Sequence, residues 1–237
     1  MKYNRILLKL SGEAIGGTDG RGIDENVLAR FAGEIADVVR AGVQVAVVIG
    51  GGNIFRGLQG VGKGFDRVQG DQMGMLATVI NSKALSVFLR EQGVKADVFT
   101  ATPMRPMAKY YMRDEVLEAM DHGCVALLSG GTGNPFFTTD SGAALRACEL
   151  RLDAVLKGTK VDGVYDSDPK KNPSAKRYAK LSFARAIAED LRIMDQTAFT
   201  LCRENDVPIV VFDINRPGAL MDVVKGEPVG TLVSNSD

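Results

Sequence analysis

The chain has no charge of one sign to spare: Lys+Arg and Asp+Glu both total 29 in 237 residues. Such a balance gives no general electrostatic reason to bind a polyanion such as bulk nucleic acid, although it leaves room for a local basic patch. Long apolar runs are missing too. The N-terminal run Ile6 to Leu10 is interrupted by Lys9 and stopped by Ser11-Gly12, too short for a signal segment or a membrane span, so a soluble cytoplasmic protein is expected. Cysteine is scarce: Cys124, Cys148 and Cys202 are odd in number and widely spaced within apolar or helical patterns. That reads as reduced packing residues rather than a disulfide framework. The one histidine, His122, stands beside Gly123 at the end of a helical pattern and reads as a helix-terminal residue rather than a base. Neither tandem repeats nor low-complexity linkers break the chain.

What is present is alternation. Apolar β-rich runs at Arg5–Leu10, Val43–Ile49, Ala96–Thr100, Cys124–Leu128, Ala154–Lys157, Ile209–Phe212 and Thr231–Ser234 are separated by amphipathic helical patterns. The first helix is capped by Asp24 and ended by Gly42; others run from Asp71 to Glu91, Asp114 to Met120, Ser141 to Leu150, Ser182 to Asp190, Asp195 to Asn205 and Ala219 to Val224. Strands separated by helices predict an α/β fold, a parallel sheet covered on both faces. With 45% apolar residues the chain can bury a substantial core. The irregular stretch Gly158 to Lys180 reads as a functional loop, and Thr102 to Met112, with Arg105 and Lys109, as a lid or interface loop.

Four glycine-rich segments follow strands: Lys9 to Gly12, Gly50 to Gly57, Gly130 to Thr139 and Lys157 to Tyr165. Ligands of doubly wound sheets collect at such carboxyl ends, and bare glycine amides beside a helix N-terminus suit phosphate. Four of them predict a ligand with several phosphates. Lys9, inside an apolar strand, must reach solvent or an anion at the strand end. Arg56 offers a fork for phosphate or is a surface arginine. Asp71, at the start of a helical pattern, is an N-cap or a ligand group. Asp140, after the paired threonines, is placed to orient a metal or a cationic side chain. Gly57 to Gly64 stops short of a Walker A motif, because Gly64 stands where Ser or Thr belongs, and reads as a surface loop. The glycines at Gly50 lack the spacing of a dinucleotide fingerprint.

In order, Lys9-Leu-Ser-Gly-Glu13, Val48-Ile-Gly-Gly-Gly-Asn53, Gly70 to Thr78, Gly131-Thr-Gly-Asn-Pro-Phe-Phe-Thr-Thr-Asp140, Lys160-Val-Asp-Gly-Val164 and Gly230-Thr-Leu232 resemble the uridylate kinases of the amino acid kinase family over nearly the whole chain. The resemblance implies one three-layer α/β/α domain over 1–237 around a largely parallel eight-stranded sheet, with an acceptor half near 1–150 and an ATP half near 151–237. It implies ATP-dependent phosphorylation of UMP, with Mg²⁺ entering as Mg-ATP, in a homohexamer. Carried over residue by residue, it puts Lys9, Leu10, Ser11 and Gly12 around the ATP phosphates with Gly52 and Arg56 nearby, and Thr159, Tyr165 and Asp168 at the adenosine end. UMP would lie on Gly51, Asp71, Thr132, Gly133, Asn134, Pro135, Phe136, Phe137, Thr138 and Thr139, with Lys9, Asp140 and Asp195 at the point of transfer. UTP is implied as an inhibitor and GTP as an activator. Gly17, Thr18, Asp19, Gly20, Arg21 and Gly22 match the effector-linked segment, whose composition alone says flexible turn. Ser86 stands where some relatives carry a basic effector contact, with Arg90 one turn later. Two alternatives remain: a sister kinase acting on a carboxylate or carbamate, which should lack the Asn134 to Asp140 run, and a non-catalytic nucleotide or oxyanion binder, which should lose Lys9 or Asp140.

Overall fold

A computed structural model describes residues 1–55, 66–169 and 171–236. One sheet runs through it, in the strand order β4-β3-β5-β2-β1-β6-β8-β9-β7. The strands are β1 (Arg5–Leu10), β2 (Gln44–Ile49), β3 (Ala96–Thr100), β4 (Lys109–Tyr110), β5 (Val125–Ser129), β6 (Ala154–Thr159), β7 (Lys180–Ser182), β8 (Ile209–Asp213) and β9 (Thr231–Ser234). All neighbours pair in parallel except β8 with β9.

The sheet thus has nine strands, where the resemblance implied eight. The two strands not anticipated, β4 and β7, have two and three residues and lie at opposite edges. Pairs this short carry no period-two signal, and register with a longer neighbour creates them. They fall inside or at the end of the two segments read as loops.

Alternation along the strands sorts side chains into two layers. On one face Leu8, Val47, Leu127 and Leu156 pack under α2 (Glu25–Arg40), the C-terminal half of α3 (Arg67–Glu91), and α8 (Ala219–Lys225). On the other, Leu7, Ala46, Ala126 and Val155 pack under α4 (Arg113–Asp121), α5 (Thr139–Glu149), α6 (Phe183–Ala188) and α7 (Gln196–Glu204). A short helix, α1 (Gly12–Ile15), follows β1 directly, capped by Ser11. The layers form because α2 buries Leu28, Phe31, Ile35 and Val38 at helical spacing, with Asp24 accepting the Asn26 and Val27 amides.

β1 and β6 are where the order reverses: the chain leaves β1 for its neighbour β2 on one side, and leaves β6 for β7 and β8 on the other. The crevice beyond their carboxyl ends is the expected ligand position. Close contact there requires glycine at 158, since a Cβ on it would lie 2.9 Å from Leu10 Cδ2 and 3.0 Å from Ile214 Cβ.

Candidate active site

Lys9 and Lys157 are register partners on β1 and β6. Each lies on the face covered by α5 and α7, and each reaches Asp140 in the first turn of α5. Lys9 Nζ is 2.6 Å from Oδ1 and Lys157 Nζ is 2.8 Å from Oδ2. The three side chains are 10–15% exposed. Lys157 also donates to the Ile193 carbonyl at 2.5 Å. Burial acts to raise the Asp140 pKa, but the two ammonium groups outweigh it and hold the carboxyl below its ordinary value. Burial lowers the Lys157 pKa, against the opposing pull of Asp140. The two cations share Asp140 directly, and the Asp195 carboxylate also acts on Lys157. Of the two options for Asp140, the structure shows the cationic one. Lys157 was missed as a site residue, although it carries the signal that marked Lys9, a lysine in an apolar strand.

Asp195 is the N-cap of α7, accepting the Ala198 amide at 2.9 Å. Its carboxylate also accepts from Ser141 Oγ at 3.0 Å and from the hydroxyl of Thr138, the N-cap of α5. Two helix N-termini therefore meet beside Asp140, and the positive ends of their dipoles add to the lysines.

Backbone fills the opposite wall. Gly12 abuts the Gly50 loop so closely that a Cβ would lie 2.6 Å from Gly50 O and 2.7 Å from Gly52 N. Ser11 caps α1, Leu10 is fully buried, and the Gly50 amide donates to Leu10 O at 3.0 Å. Gly51 presses on α3, with Gly74 O 2.6 Å and Ala77 Cβ 2.7 Å from where its Cβ would be. α3 also holds the other glycine loop: Thr78 Oγ1 accepts the Gly130 amide at 2.8 Å.

A cleft of about 460 Å³ runs between these parts, lined by Gly51, Gly52, Asp71, Thr132, Asn134, Phe137, Thr138 and Thr139 among others. It gathers most of the acceptor residues expected from the sequence. Gly133 and Pro135 lie half-buried within the same turn, and Phe136 is exposed at its tip. Asp71 is not a cap. The helix starts at Arg67 with Asp66 as N-cap, which places Asp71 one turn inside, where Oδ2 accepts from Arg67 Nε at 2.8 Å and from the Phe136 amide at 2.7 Å. Phe136 has φ 73°, a left-handed conformation that costs a bulky residue about 1–3 kcal/mol.

Of the residues expected at the adenosine end, Thr159 closes β6, and Tyr165 and Asp168 follow in the loop beyond it. Thr159 Oγ1 donates to Val161 O at 2.6 Å, Tyr165 OH donates to Asp162 at 2.7 Å, and the Asp168 carbonyl accepts the Lys171 and Asn172 amides. Thr231 anchors this loop, accepting the Val164 amide at 2.9 Å and donating to Tyr178 O at 2.5 Å. Arg56 and the Gly57 to Gly64 segment lie outside the described residues. The Gly17 to Gly22 turn has φ near 64° at three glycines and sits against the Gly50 loop, Asn53 Nδ2 donating to Gly22 O at 2.6 Å. His122 caps α4, its Nδ1 donating to Glu118 O at 2.7 Å.

A larger hollow of about 880 Å³ lies at the amino ends of β3 and β5. Its lining holds none of the glycine-rich segments that follow β1, β2, β5 and β6, which distinguishes it from the smaller cleft.

The whole arrangement has counterparts. A profile of the amino acid kinase family matches residues 4–213. The chain belongs to the amino acid kinase family. Within it, a uridylate kinase of Bacteroides thetaiotaomicron is 53% identical over 234 residues, covering 99% of each chain. One of Porphyromonas gingivalis is also 53% identical, over 99% of this chain and 98% of its own. The crystal structure of a UMP kinase from Bacillus anthracis matches with a TM-score of 0.97 at 39% identity, over 100% of this chain and 98% of that one. That of Ureaplasma parvum UMP kinase matches at 0.93 and 38%, over 99% and 100%. The chain is thus similar over its full length to uridylate kinases and in fold to UMP kinase structures.

Proposed function

We propose that this chain transfers the γ-phosphoryl group of ATP to UMP, giving ADP and UDP. The observation that carries the reading is the Lys9–Asp140–Lys157 cluster standing between the acceptor cleft and the nucleotide loop past β6, in a chain similar along its length to uridylate kinases.

No general base is needed. The second pKa of a phosphate monoester is about 6, so UMP brings a dianionic nucleophile at neutral pH. One of its oxygens bonds to the γ-phosphorus while the bond from that phosphorus to the β–γ bridging oxygen breaks, and ADP leaves. Lys9 and Lys157 face the charge that builds on the transferring oxygens. Asp140 takes no proton, since two ammonium groups keep it ionised. It holds the lysines at a fixed separation. Magnesium is written as part of the substrate, entering as Mg-ATP, where it would neutralise charge on the phosphate oxygens.

The same reading places UMP on the 1–150 half and ATP on the 151–237 half of one domain. It extends to a cytoplasmic homohexamer inhibited by UTP and activated by GTP. Self-association is supported by Leu76, Ile80 and Val87 on α3, which are 49–51% exposed. For GTP, Ser86 is buried and donates inward to Lys83 O, and Arg90 keeps a positive charge one turn later. Among the described residues no helix is long and apolar enough to cross a membrane.

A coupled ADP-release assay comparing UMP, CMP, dUMP, carbamate and acetylglutamate tests the activity. UMP-dependent release is expected, and its absence overturns the reading. Release with carbamate or acetylglutamate in its place would favour the sister kinase. Light scattering should give a mass well above the 25.4 kDa chain.

A further inference from the structure

Phosphoryl transfer as described leaves Arg67 without a role, yet it lines the acceptor cleft. It is the first residue of α3, and its Nε meets Asp71 Oδ2 one turn along at 2.8 Å. An i,i+4 pair on a helix is by itself ordinary. This one is not isolated, because the same oxygen accepts the amide of Phe136, 65 positions away, at 2.7 Å. The guanidinium carbon of Arg67 also stands 5.4 Å from the centre of the Phe136 ring, within cation–π range. The tie is made to a strained point: Phe136 has φ 73°, where only glycine is comfortable, and its ring is 64% exposed, so no core packing holds the turn. Arg67 and Phe136 both load Oδ2, and Oδ1 is the oxygen that neither contact uses.

We propose that Arg67 is a positioning residue for the acceptor nucleotide. By pairing with Asp71 and covering the Phe136 ring it latches the 132–138 turn to α3, and it orients Asp71 so that Oδ1 serves the ribose hydroxyls. The inference rests on the UMP kinase reading. It goes further in assigning acceptor recognition to a residue that acts through two others.

The test is a double-mutant cycle on the full chain, with KM for UMP, KM for ATP and kcat measured for wild type, Arg67→Met, Phe136→Gly and the double variant. Glycine accepts φ 73° without strain, so it removes both the ring and the need for a latch. Arg67→Met should raise KM for UMP about tenfold, with kcat at saturating UMP and KM for ATP changed less than about twofold. In the Phe136→Gly background the same substitution should cost less than about threefold. Arg67→Lys, which keeps the charge, should fall between wild type and Arg67→Met, with melting temperatures showing that the variants are folded. An unchanged KM for UMP in Arg67→Met, a loss shared equally by ATP, or an equal cost in both backgrounds would overturn the proposal. Failure of the underlying reading would look different, since wild type itself would then release no ADP with UMP.

Discussion

Lys9 and Lys157 sit side by side on adjacent parallel strands and grip opposite oxygens of one carboxylate, Asp140. Side by side without it, two buried ammonium groups would repel and would each lose hydration. Asp140 makes the pair tolerable.

Lys9→Met should lower kcat by about two to three orders of magnitude, the usual cost of losing one preorganised charge contact. The fold should persist, because Asp140 retains Lys157. Unchanged turnover at saturating substrates would reduce Lys9 to a lysine that merely lays its stem on apolar surface.

A pH profile separates the second lysine. Burial sets the Lys157 pKa below its ordinary 10.5, so it is charged below that lowered value and neutral above it. kcat should therefore fall on an alkaline limb whose midpoint is below 10.5. Stability should not fall with it through this group, because the folded state prefers the neutral amine and raising pH relieves its desolvation. Lys157→Arg should abolish that limb, since arginine stays protonated. A limb that survives the substitution belongs to another group.

Asp140→Asn removes the shared anion and leaves two buried cations unpaired. Breaking a buried pair costs about 3–5 kcal/mol, which in a chain of this size lowers Tm by about 10 °C. The wild-type carboxyl is held below its ordinary pKa, so its contribution is present at neutral pH. It is lost as pH falls through the lowered value, and Asp140→Asn should flatten that acid limb of the Tm–pH curve. Equal melting of both proteins at pH 7 would contradict the pairing.

Two acids at the start of α3 should part company. Asp66 is the cap, so Asp66→Ala should cost about 1 kcal/mol of stability and leave the ratio of kcat/KM for UMP over dUMP unchanged. Asp71→Asn should instead shrink that ratio by about tenfold, roughly 1.4 kcal/mol, if the carboxylate accepts from the 2′-hydroxyl. A ratio that holds in both variants takes Asp71 out of substrate recognition.

The seven longer strands were legible because buried parallel strands are written as apolar runs, and the helices around them because capping acids precede apolar faces at helical spacing. β4 and β7 were not, since pairing at a sheet edge is decided by the neighbour and not by two or three residues. The start of α3 was misread because Asp66 and Asp71 both precede helical stretches, and Gly70 between them resembles a boundary; only the backbone shows a continuous helix through it. Lys157 could have been found, since it breaks an apolar strand just as Lys9 does. The strained Phe136 turn and the Asn53 contact to Gly22 could not, because each joins residues far apart in the chain whose proximity is a product of folding.

The β1–β6 ladder carries five consecutive register pairs through the centre of the sheet, and beside it Thr138 and Ser141 of α5 are riveted to Asp195 at the start of α7. The catalytic groups thus hang from a continuous beam instead of two jaws. On the proposed function, a layout of this kind predicts that nucleotides enter and leave at the rim of the crevice, where the exposed Phe136 and Phe137 stand, while the sheet beneath stays closed. The lysines stay in register throughout. Their spacing is then set by the sheet, and the gating of access is left to segments outside it.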